Sequence, residues 1–318
     1  MVNLVEALLL LLNGVMKMEG VKPHTFEIEP GTVLKFWVPK ETIKKPKKAA
    51  AATATKHKPN KPAVVLIHGF AGDGILTWPF QVAALMKSYS VYVPDVLFFG
   101  GSITDSKDRS PAFQAECLSK GLRMLGVEKC TVVGFSYGGM VAFKMAEMFP
   151  QLVEAVVVSG AALAITDSLR TAMLHSLRVS SFSDLLMPNS VKGLKKLLRI
   201  ATYKKYWFPN RIYQDFLKGM FSSSKEREEL LECMVESSKD NTIRDIPQKV
   251  LLLWGENDEI FKIEQAKDLK DQLGSKTTLE GIRKAGHLVH LERPCVYNRC
   301  LKKFLASLSV DMLLNNGY

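Results

Sequence analysis

The sequence predicts an α/β fold built on a mostly parallel central sheet flanked by helices. Short runs of β-branched and other apolar residues alternate with longer runs in which apolar residues recur at helical spacing. Parallel strands need crossover helices, so this alternation is typical of such a sheet. The alternation begins near Ala63, stops near Ala162 and resumes after Ile246. The interruption predicts a helical cap inserted after the sixth strand.

The predicted elements follow in a regular order. Residues 24–39 alternate apolar and polar on both sides of Pro30-Gly31, which is typical of a β-hairpin. The strands that follow are AVVLIHG, SVYVPD, CTVVGF and VEAVVVSG, separated by the helices TWPFQVAALMKSY, PAFQAECLSKGLRMLG and YGGMVAFKMAEMFP. After the cap, the strands KVLLLWGEND and TTLEGIRKAGH alternate with the helices IEQAKDLKDQLG and CVYNRCLKKFLASL.

This pattern divides the chain into four segments. They are an N-terminal amphipathic helix (1–22), the first part of the core (23–161), the helical cap (162–246) and the second part of the core (247–318). Residues 40–62 are rich in Lys, Ala, Thr and Pro without apolar periodicity, which predicts a flexible basic loop. A cap inserted after a strand is expected to stand over the carboxyl ends of the strands, where such sheets bind ligands.

The composition limits the classes of protein that this chain can be. With 47% hydrophobic and 24% charged residues, it is typical of a globular domain. Its five cysteines have no paired or CxxC spacing, which predicts free thiols in a reducing compartment. We therefore expect a cytoplasmic protein with no cofactor and no structural metal.

The first 20 residues leave two interpretations open. They include a leucine run, but Glu6 lies where a secretion signal would be basic and no small-residue cleavage site follows. The run is also too short and too interrupted to span a bilayer. The segment is either a helix packed on the domain or a peripheral membrane anchor. In the second case the residues in the membrane interface would be Leu8, Leu9, Leu12, Val15 and Met16.

The net charge of +11 favours anionic partners. The basic residues concentrate in the 40–62 loop and in the cap stretch SVKGLKKLLRIATYKKYWFP, and no nucleic-acid recognition module is visible. We therefore expect no nucleic-acid partner. The cap stretch predicts a helix that either keeps its lysines in water or, with Tyr206, Trp207 and Phe208, touches an anionic membrane.

A serine lies where a buried-type strand runs into a helix. The stretch VVGFSYGGMVAF places Ser136 between Gly134 and Gly138 in a G-x-S-x-G motif. A nucleophile elbow needs this arrangement, because its serine occupies a strained turn where neighbouring side chains must be small. The following helix also directs backbone N–H groups at any oxyanion formed nearby. Ser136 is the predicted nucleophile, and a serine that only caps the helix is the alternative.

A serine nucleophile needs a base within hydrogen-bond reach. His287 lies in KAGHLVHLERP, a loop between the last predicted strand and the final helix, at the carboxyl edge of the sheet. It is therefore the predicted base. His290, three residues further on, is interpreted as a supporting or surface residue.

The imidazole needs an acid to fix its tautomer and to stabilise its protonated form. Asp258 follows the apolar strand LLLWGEND at the same edge of the sheet, with Glu256 and Glu259 as nearby alternatives. The predicted triad therefore has the chain order Ser136, Asp258 and His287.

The oxyanion hole needs two backbone donors. One is predicted to be the N–H of Tyr137, directly after the nucleophile. The other is predicted to be the N–H of Phe70, in the loop LIHGFAGDG after the first core strand. The same loop does not fit a phosphate-binding loop, because no Lys-Ser/Thr follows it.

These motifs resemble those of the α/β-hydrolase superfamily with a helical cap. The resemblance runs from Ala63 to Leu308 through H-G, G-x-S-x-G, G-x-x-D and G-H elements. The first 40 residues and MPNSVKGLKKLL look like a group of plant hydrolases labelled carboxylesterase, monoacylglycerol-lipase-like or C–C bond hydrolase. Epoxide hydrolases and haloalkane dehalogenases of this fold use an aspartate nucleophile, so Ser136 argues against both.

The resemblance implies an esterase or lipase that acts on a hydrophobic acyl ester or lipid through an acyl-enzyme. Where many relatives carry D-x-x-G-x-G-x-S this chain has DVLFFGGS, so aromatic bulk is expected beside the pocket. The expected pocket residues are Phe98, Phe99 and Trp207. The alternatives are a C–C bond hydrolase of β-diketone-like substrates and a hydrolase-fold small-molecule receptor. The segment HLVHLE is also close to the H-x-x-x-x-D of some lysophospholipid acyltransferases, with Glu292 in place of the aspartate.

Overall fold

The computed structural model describes residues 3–43, 61–221, 225–236 and 246–315. Its strands are β1 (Val21–Glu29), β2 (Thr32–Pro39), β3 (Ala63–Ile67), β4 (Ser90–Pro94), β5 (Ile103–Thr104), β6 (Cys130–Phe135), β7 (Val153–Ser159), β8 (Ile165–Thr166), β9 (Val235–Glu236), β10 (Lys249–Gly255) and β11 (Thr277–Ile282). Its helices are α1 (Leu4–Met18), α2 (Gly74–Thr77), α3 (Pro79–Leu85), α4 (Pro111–Met124), α5 (Tyr137–Met148), α6 (Asp167–Leu177), α7 (Phe182–Leu186), α8 (Val191–Ala201), α9 (Asn210–Met220), α10 (Lys225–Glu232), α11 (Ile263–Leu273), α12 (Val289–Glu292) and α13 (Pro294–Asn315).

The predicted fold class is confirmed. The main sheet has the order β1-β2-β4-β3-β6-β7-β10-β11, with β5 paired to β2. All pairs from β4 to β11 are parallel, while the β1–β2 hairpin joins the edge of β4 antiparallel. The chain moves outward from β3 to β4 and then returns to the other side of β3 with β6. Ligands bind outside such a switch point in open α/β sheets.

Burial on both faces explains the apolar strands. In β3, Val65 and Ile67 belong to one buried cluster, with residues of α4, α5 and α11. Val64 and Leu66 belong to the opposite cluster, with residues of α1, α3 and α13. A strand covered on both faces needs a continuous apolar sequence, as the sequence of β3 shows.

The segment predicted to form the cap lies between β7, the sixth strand longer than two residues, and β10. It contains α6 to α10 and a two-stranded sheet of β8 and β9. These two-residue strands were not predicted, because they are too short to show periodicity. Residues 44–60 of the predicted basic loop, and 237–245 at the end of the cap, lie outside the described residues.

The predicted helix around residues 77–89 begins later than its pattern indicated. Its first residue is Pro79, and a separate short helix, α2, ends at Thr77. Proline has no backbone N–H and fixes φ, so it starts a helix far more readily than it continues one. All five cysteines lie in the described ranges and are free, as predicted.

Helix α1 packs on the domain through the face that the sequence assigned to a membrane. Met16 is fully buried, and Leu9 and Leu12 pack against the same core cluster. These three residues therefore pack on the domain, as the first interpretation expected, and do not face a membrane. The helix has apolar residues on more than one face, and the pattern does not say which face the core takes. Among the described residues, no helix combines the length and apolar character needed to cross a bilayer.

Candidate active site

Ser136 occupies a strained turn between β6 and α5. Its φ of 52° is a conformation that few residues other than glycine adopt. Its N–H donates to the carbonyl of Ser159, and its own carbonyl accepts from the N–H of Gly139. These hydrogen bonds tie the turn to the end of β7 and to the first turn of α5.

Close backbone approach explains the glycines around Ser136. A Cβ at Gly134 would lie 2.3 Å from the carbonyl oxygen of Gly138. A Cβ at Gly138 would lie 2.4 Å from the carbonyl oxygens of Ile67 and His68. The strand end, the helix start and the loop after β3 therefore meet at distances that side chains would prevent.

The predicted base and acid are hydrogen-bonded. His287 Nδ1 lies 2.8 Å from Asp258 Oδ2, and both side chains are buried. The other carboxylate oxygen, Oδ1, accepts from the N–H groups of Ile260 and Phe261 at 2.8 and 2.9 Å. Because a carboxylate only accepts, Nδ1 carries the proton and Nε2 is left as the basic nitrogen.

The surroundings of His287 fix the plane of its ring. The imidazole packs between Phe135, at 4.8 Å between ring centroids, and Phe261, at 6.0 Å. A Cβ at Gly160 would lie 2.6 Å from His287 Cε1 and 3.2 Å from Asp258 Oδ2. Gly160, directly after β7, therefore leaves room for the contact between His287 and Asp258.

His68 supports the loop that carries Phe70. Its Nε2 accepts from the N–H of Val96 at 3.0 Å, so its Nδ1 donates to the carbonyl of Gly69 at 2.8 Å. Burial lowers the pKa of this imidazole and favours the neutral form that these two bonds require. The loop it supports lies against the nucleophile, since a Cβ at Gly69 would be 3.1 Å from Ser136 Cβ.

Ser136 and His287 line one cavity, which is partly open to solvent. The core contributes Phe70, Tyr137, Met140, Ile260 and Phe261 to the wall. The cap contributes mainly Ile165, Met173, Leu177, Phe182, Leu185 and Met234. Among the described residues that line it, none carries a formal charge apart from the titratable His287.

The predicted pocket residues lie elsewhere. The Trp207 side chain is 78% exposed, and it is absent from the described wall of this cavity. Phe99 is buried behind Phe70, 5.1 Å between centroids, and Phe98 packs under the guanidinium of Arg109. Phe98 lies at a turn of positive φ, 72°, and neither Phe98 nor Phe99 is among the described residues that line this cavity.

Glu292 connects the histidine loop to the cap. Its Oε2 accepts from the N–H groups of Gly286, at 2.7 Å, and Tyr203, at 3.0 Å. Its Oε1 accepts from the N–H of Lys204 at 3.0 Å. One carboxylate thus holds the residue before His287 and the chain that leaves α8. The only sequence signal for this role was the position of Glu292 in HLVHLE.

His290 is fully buried, so its interpretation as a surface residue is excluded. Its ring packs on Trp78, Phe135 and Tyr297, and neither ring nitrogen has a hydrogen-bond partner among the described residues. Burial, and secondarily the positive charge of a protonated His287, lower the pKa of His290 to about 3. It is therefore a neutral part of the core directly behind the histidine loop.

No metal-ligand set of three or more His, Cys, Asp or Glu side chains occurs in the ranges that the structure describes. The chemistry available at the cavity is that of a serine hydroxyl, an imidazole held by a carboxylate, and backbone N–H groups near a helix start.

The family model for the alpha/beta hydrolase fold matches residues 62–224, about half of the chain. The protein belongs to this family. The curated relatives include uncharacterized mycobacterial proteins, 40% identical over 100 residues, and the match spans only 29% of their length. Human epoxide hydrolase 4 is 24% identical, over 77% of this chain and 72% of that protein. Monoacylglycerol lipase abhd6-B of Xenopus laevis is 22% identical, over 80% and 79%.

Solved structures share the fold along nearly the whole chain. A protein of Acinetobacter baumannii AYE described as a lipase (lip1) has a TM-score of 0.78 at 19% identity, covering 95% of this chain and 96% of that one. A bacterial membrane phospholipase A has a TM-score of 0.75 at 18% identity, over 96% and 91%. The 2-hydroxy-6-oxo-6-phenylhexa-2,4-dienoate hydrolase of Rhodococcus has 0.68 at 19%, over 90% and 99%.

Removing the Glu292 carboxylate should disturb the histidine loop. For hydrolysis of a soluble ester, the reaction proposed below, we expect Glu292→Ala to lower kcat by roughly tenfold to a hundredfold, because a small displacement of the proposed base His287 is costly. Glu292→Gln keeps one acceptor oxygen, so its kcat should lie between those of the wild type and Glu292→Ala. Steady-state kinetics of both variants, with the exposed Glu280→Ala as matched control, would measure this. An unchanged kcat in Glu292→Ala would contradict the assigned role.

His290 should make the fold sensitive to acid. In the unfolded chain its imidazole titrates near pH 6.5, so the unfolded state binds more protons between about pH 6.5 and pH 3. Stability is therefore lost as the pH falls through that window. From about pH 7 to about pH 5, we expect wild type to lose about 2 kcal/mol more unfolding free energy than His290→Leu. Denaturant unfolding at both pH values tests this, and equal losses would refute it.

Proposed function

We propose that this protein is a serine hydrolase that cleaves carboxylic esters of hydrophobic acyl groups. The observation that carries the proposal is the joint position of Ser136 and the Asp258-bound His287 on one apolar cavity. Acyl transfer requires a serine held in a strained turn, a base with a fixed tautomer and an apolar cavity. The similarity to a monoacylglycerol lipase and to lipase structures supports this reaction class.

In the proposed reaction, His287 Nε2 takes the proton of Ser136 Oγ as the oxygen attacks the ester carbonyl. The backbone N–H groups of Phe70 and Tyr137 hold the oxyanion, and Asp258 stabilises the imidazolium. The imidazolium then protonates the leaving alcohol, which departs and leaves an acyl group on Ser136. Water, deprotonated by His287, attacks this acyl-enzyme, releases the carboxylic acid and restores the serine.

The composition of the cavity wall favours a substrate with a neutral, apolar acyl group. The wall residues from the cap are aliphatic, aromatic or methionine side chains, and methionines adapt to chains of different length. The resemblance of the sequence to capped carboxylesterases and monoacylglycerol-lipase-like hydrolases agrees with such a substrate.

Cleavage of a C–C bond is the second candidate, because a dienoate hydrolase shares the fold. A dienoate carries a carboxylate that needs a cation or several donors in the pocket. No Lys or Arg stands among the described residues that line this cavity. This difference favours the ester over the dienoate.

Hydrolysis of p-nitrophenyl esters from acetate to palmitate tests the proposal. We expect Ser136→Ala to lower turnover by at least about a thousandfold, and the wild type to prefer longer acyl chains than acetate. Ser307→Ala, a change of an exposed serine on α13, is the matched control and should leave turnover unchanged. Turnover that survives in Ser136→Ala would refute the assigned nucleophile. A wild type that reacts with a fluorophosphonate but turns over no ester would favour C–C substrates or a receptor.

A further inference from the structure

The outer face of α1 is apolar, although the described part of the protein does not cover it. Leu10, Leu11 and Met18 are 74%, 64% and 80% exposed. With other exposed residues they form a stripe at spacings of three and four, which runs along one side of the helix. We call this set the outer stripe; its members are Leu4, Ala7, Leu10, Leu11, Gly14 and Met18.

Packing of α1 on the domain does not account for the outer stripe. The opposite side already anchors the helix, since Val5 and Met16 are buried and Leu9 and Leu12 contact the core. A surface helix needs one apolar face, and its other face is ordinarily polar. Packing against the described core therefore leaves Leu10 and Leu11 exposed.

The first turn of α1 contacts the cap. The N–H of Leu4 donates to Asp215 Oδ2 of α9 at 3.1 Å, and a Cβ at Gly219 would lie 3.0 Å from Val5 Cγ1. The outer stripe therefore starts beside α9, the cap helix that follows the exposed aromatic residues of the cap.

The chain that enters α9 exposes aromatic side chains. Tyr206, Trp207 and Phe208 are 44%, 78% and 37% exposed, and the rings of Tyr206 and Phe208 stack at 6.2 Å. Tyrosine and tryptophan are enriched where proteins meet the membrane–water boundary, because their rings are amphipathic. We call residues 203–208 the aromatic segment.

Basic residues predominate in the stretch of chain that contains the aromatic segment, although Glu259 pairs with Lys205 at 3.4 Å and Glu292 accepts from the N–H groups of Tyr203 and Lys204. Residues 191–220 contain eight Lys or Arg and a single acid, Asp215, which is bonded to the start of α1. Lys196, Lys204 and Lys205 are exposed. Such a surface complements anionic lipid headgroups. A second copy of this chain docking on the same surface would bring these cations together, which disfavours a dimer here.

We propose that the outer stripe and the aromatic segment bind the surface of an anionic lipid bilayer. The leucines and the aromatic rings enter the interface, and the cap lysines meet the headgroups. Binding of this kind needs no spanning helix. The proposed membrane binding rests on the proposed function in one respect: its role would be to bring a lipid ester from the bilayer to the cavity.

Sedimentation with lipid vesicles tests this inference on the full chain. The probes are vesicles of phosphatidylcholine alone and of phosphatidylcholine mixed with phosphatidylglycerol. Leu10→Ser/Leu11→Ser removes the centre of the outer stripe. Ile103→Ser/Met124→Ser is the matched control, because both side chains are more than half exposed but lie away from α1. Hydrolysis of a short soluble ester checks that each variant keeps its site, separately from lipid binding.

We expect the wild type and the control to bind the anionic vesicles, and the stripe variant to partition at least about tenfold less. Equal binding by the stripe variant and the wild type would overturn the proposal, as would failure of the wild type to bind anionic vesicles. A dimer in light scattering that is lost in the stripe variant would show that a second copy occupies this surface, which also overturns it. Vesicle binding without ester turnover would keep this inference and remove the proposed function.

Discussion

The strained turn at Ser136 is the constraint on which the rest of the site depends. A strand must end and a helix begin at one residue, so backbone atoms crowd where side chains would normally stand. Gly134 and Gly138 permit this crowding, since a Cβ at either would lie 2.3 to 2.4 Å from carbonyl oxygens. The sheet order places the turn beside the switch point between β3 and β6. The loops after β3, β7, β10 and β11 therefore meet around one hydroxyl.

Specific hydrogen bonds position the polar side chains around that turn. Asp258 uses both carboxylate oxygens, one for two backbone N–H groups and one for His287. Because this pair is buried beside an apolar cavity, each polar contact acts in a medium of low dielectric constant. Glu292 carries the arrangement outward, since it holds both the histidine loop and the chain leaving α8. The cap and the histidine loop are thus joined by hydrogen bonds.

The sequence predicted features that local patterns determine and missed those set by packing between distant segments. The strands, the elbow at Ser136 and the loop positions of Asp258 and His287 follow from local pattern and chain order. The cap side chains that line the cavity cannot be predicted in this way. The sequence of an amphipathic helix such as α6 or α7 shows which face is apolar, but not which part of the protein that face contacts. For the same reason the sequence did not show which face of α1 packs on the core, or that Trp207 is exposed. The burial of His290 likewise depends on rings that are distant in sequence.

Trapping of the acyl-enzyme tests the proposed role of Ser136 directly. The protein would be mixed with a long-chain p-nitrophenyl ester, quenched in acid during turnover, digested and analysed by mass spectrometry. We expect one added acyl group on the peptide that contains Ser136, with slower formation in His287→Gln. An acyl group on another residue, or ester turnover with no acylated peptide, would contradict it.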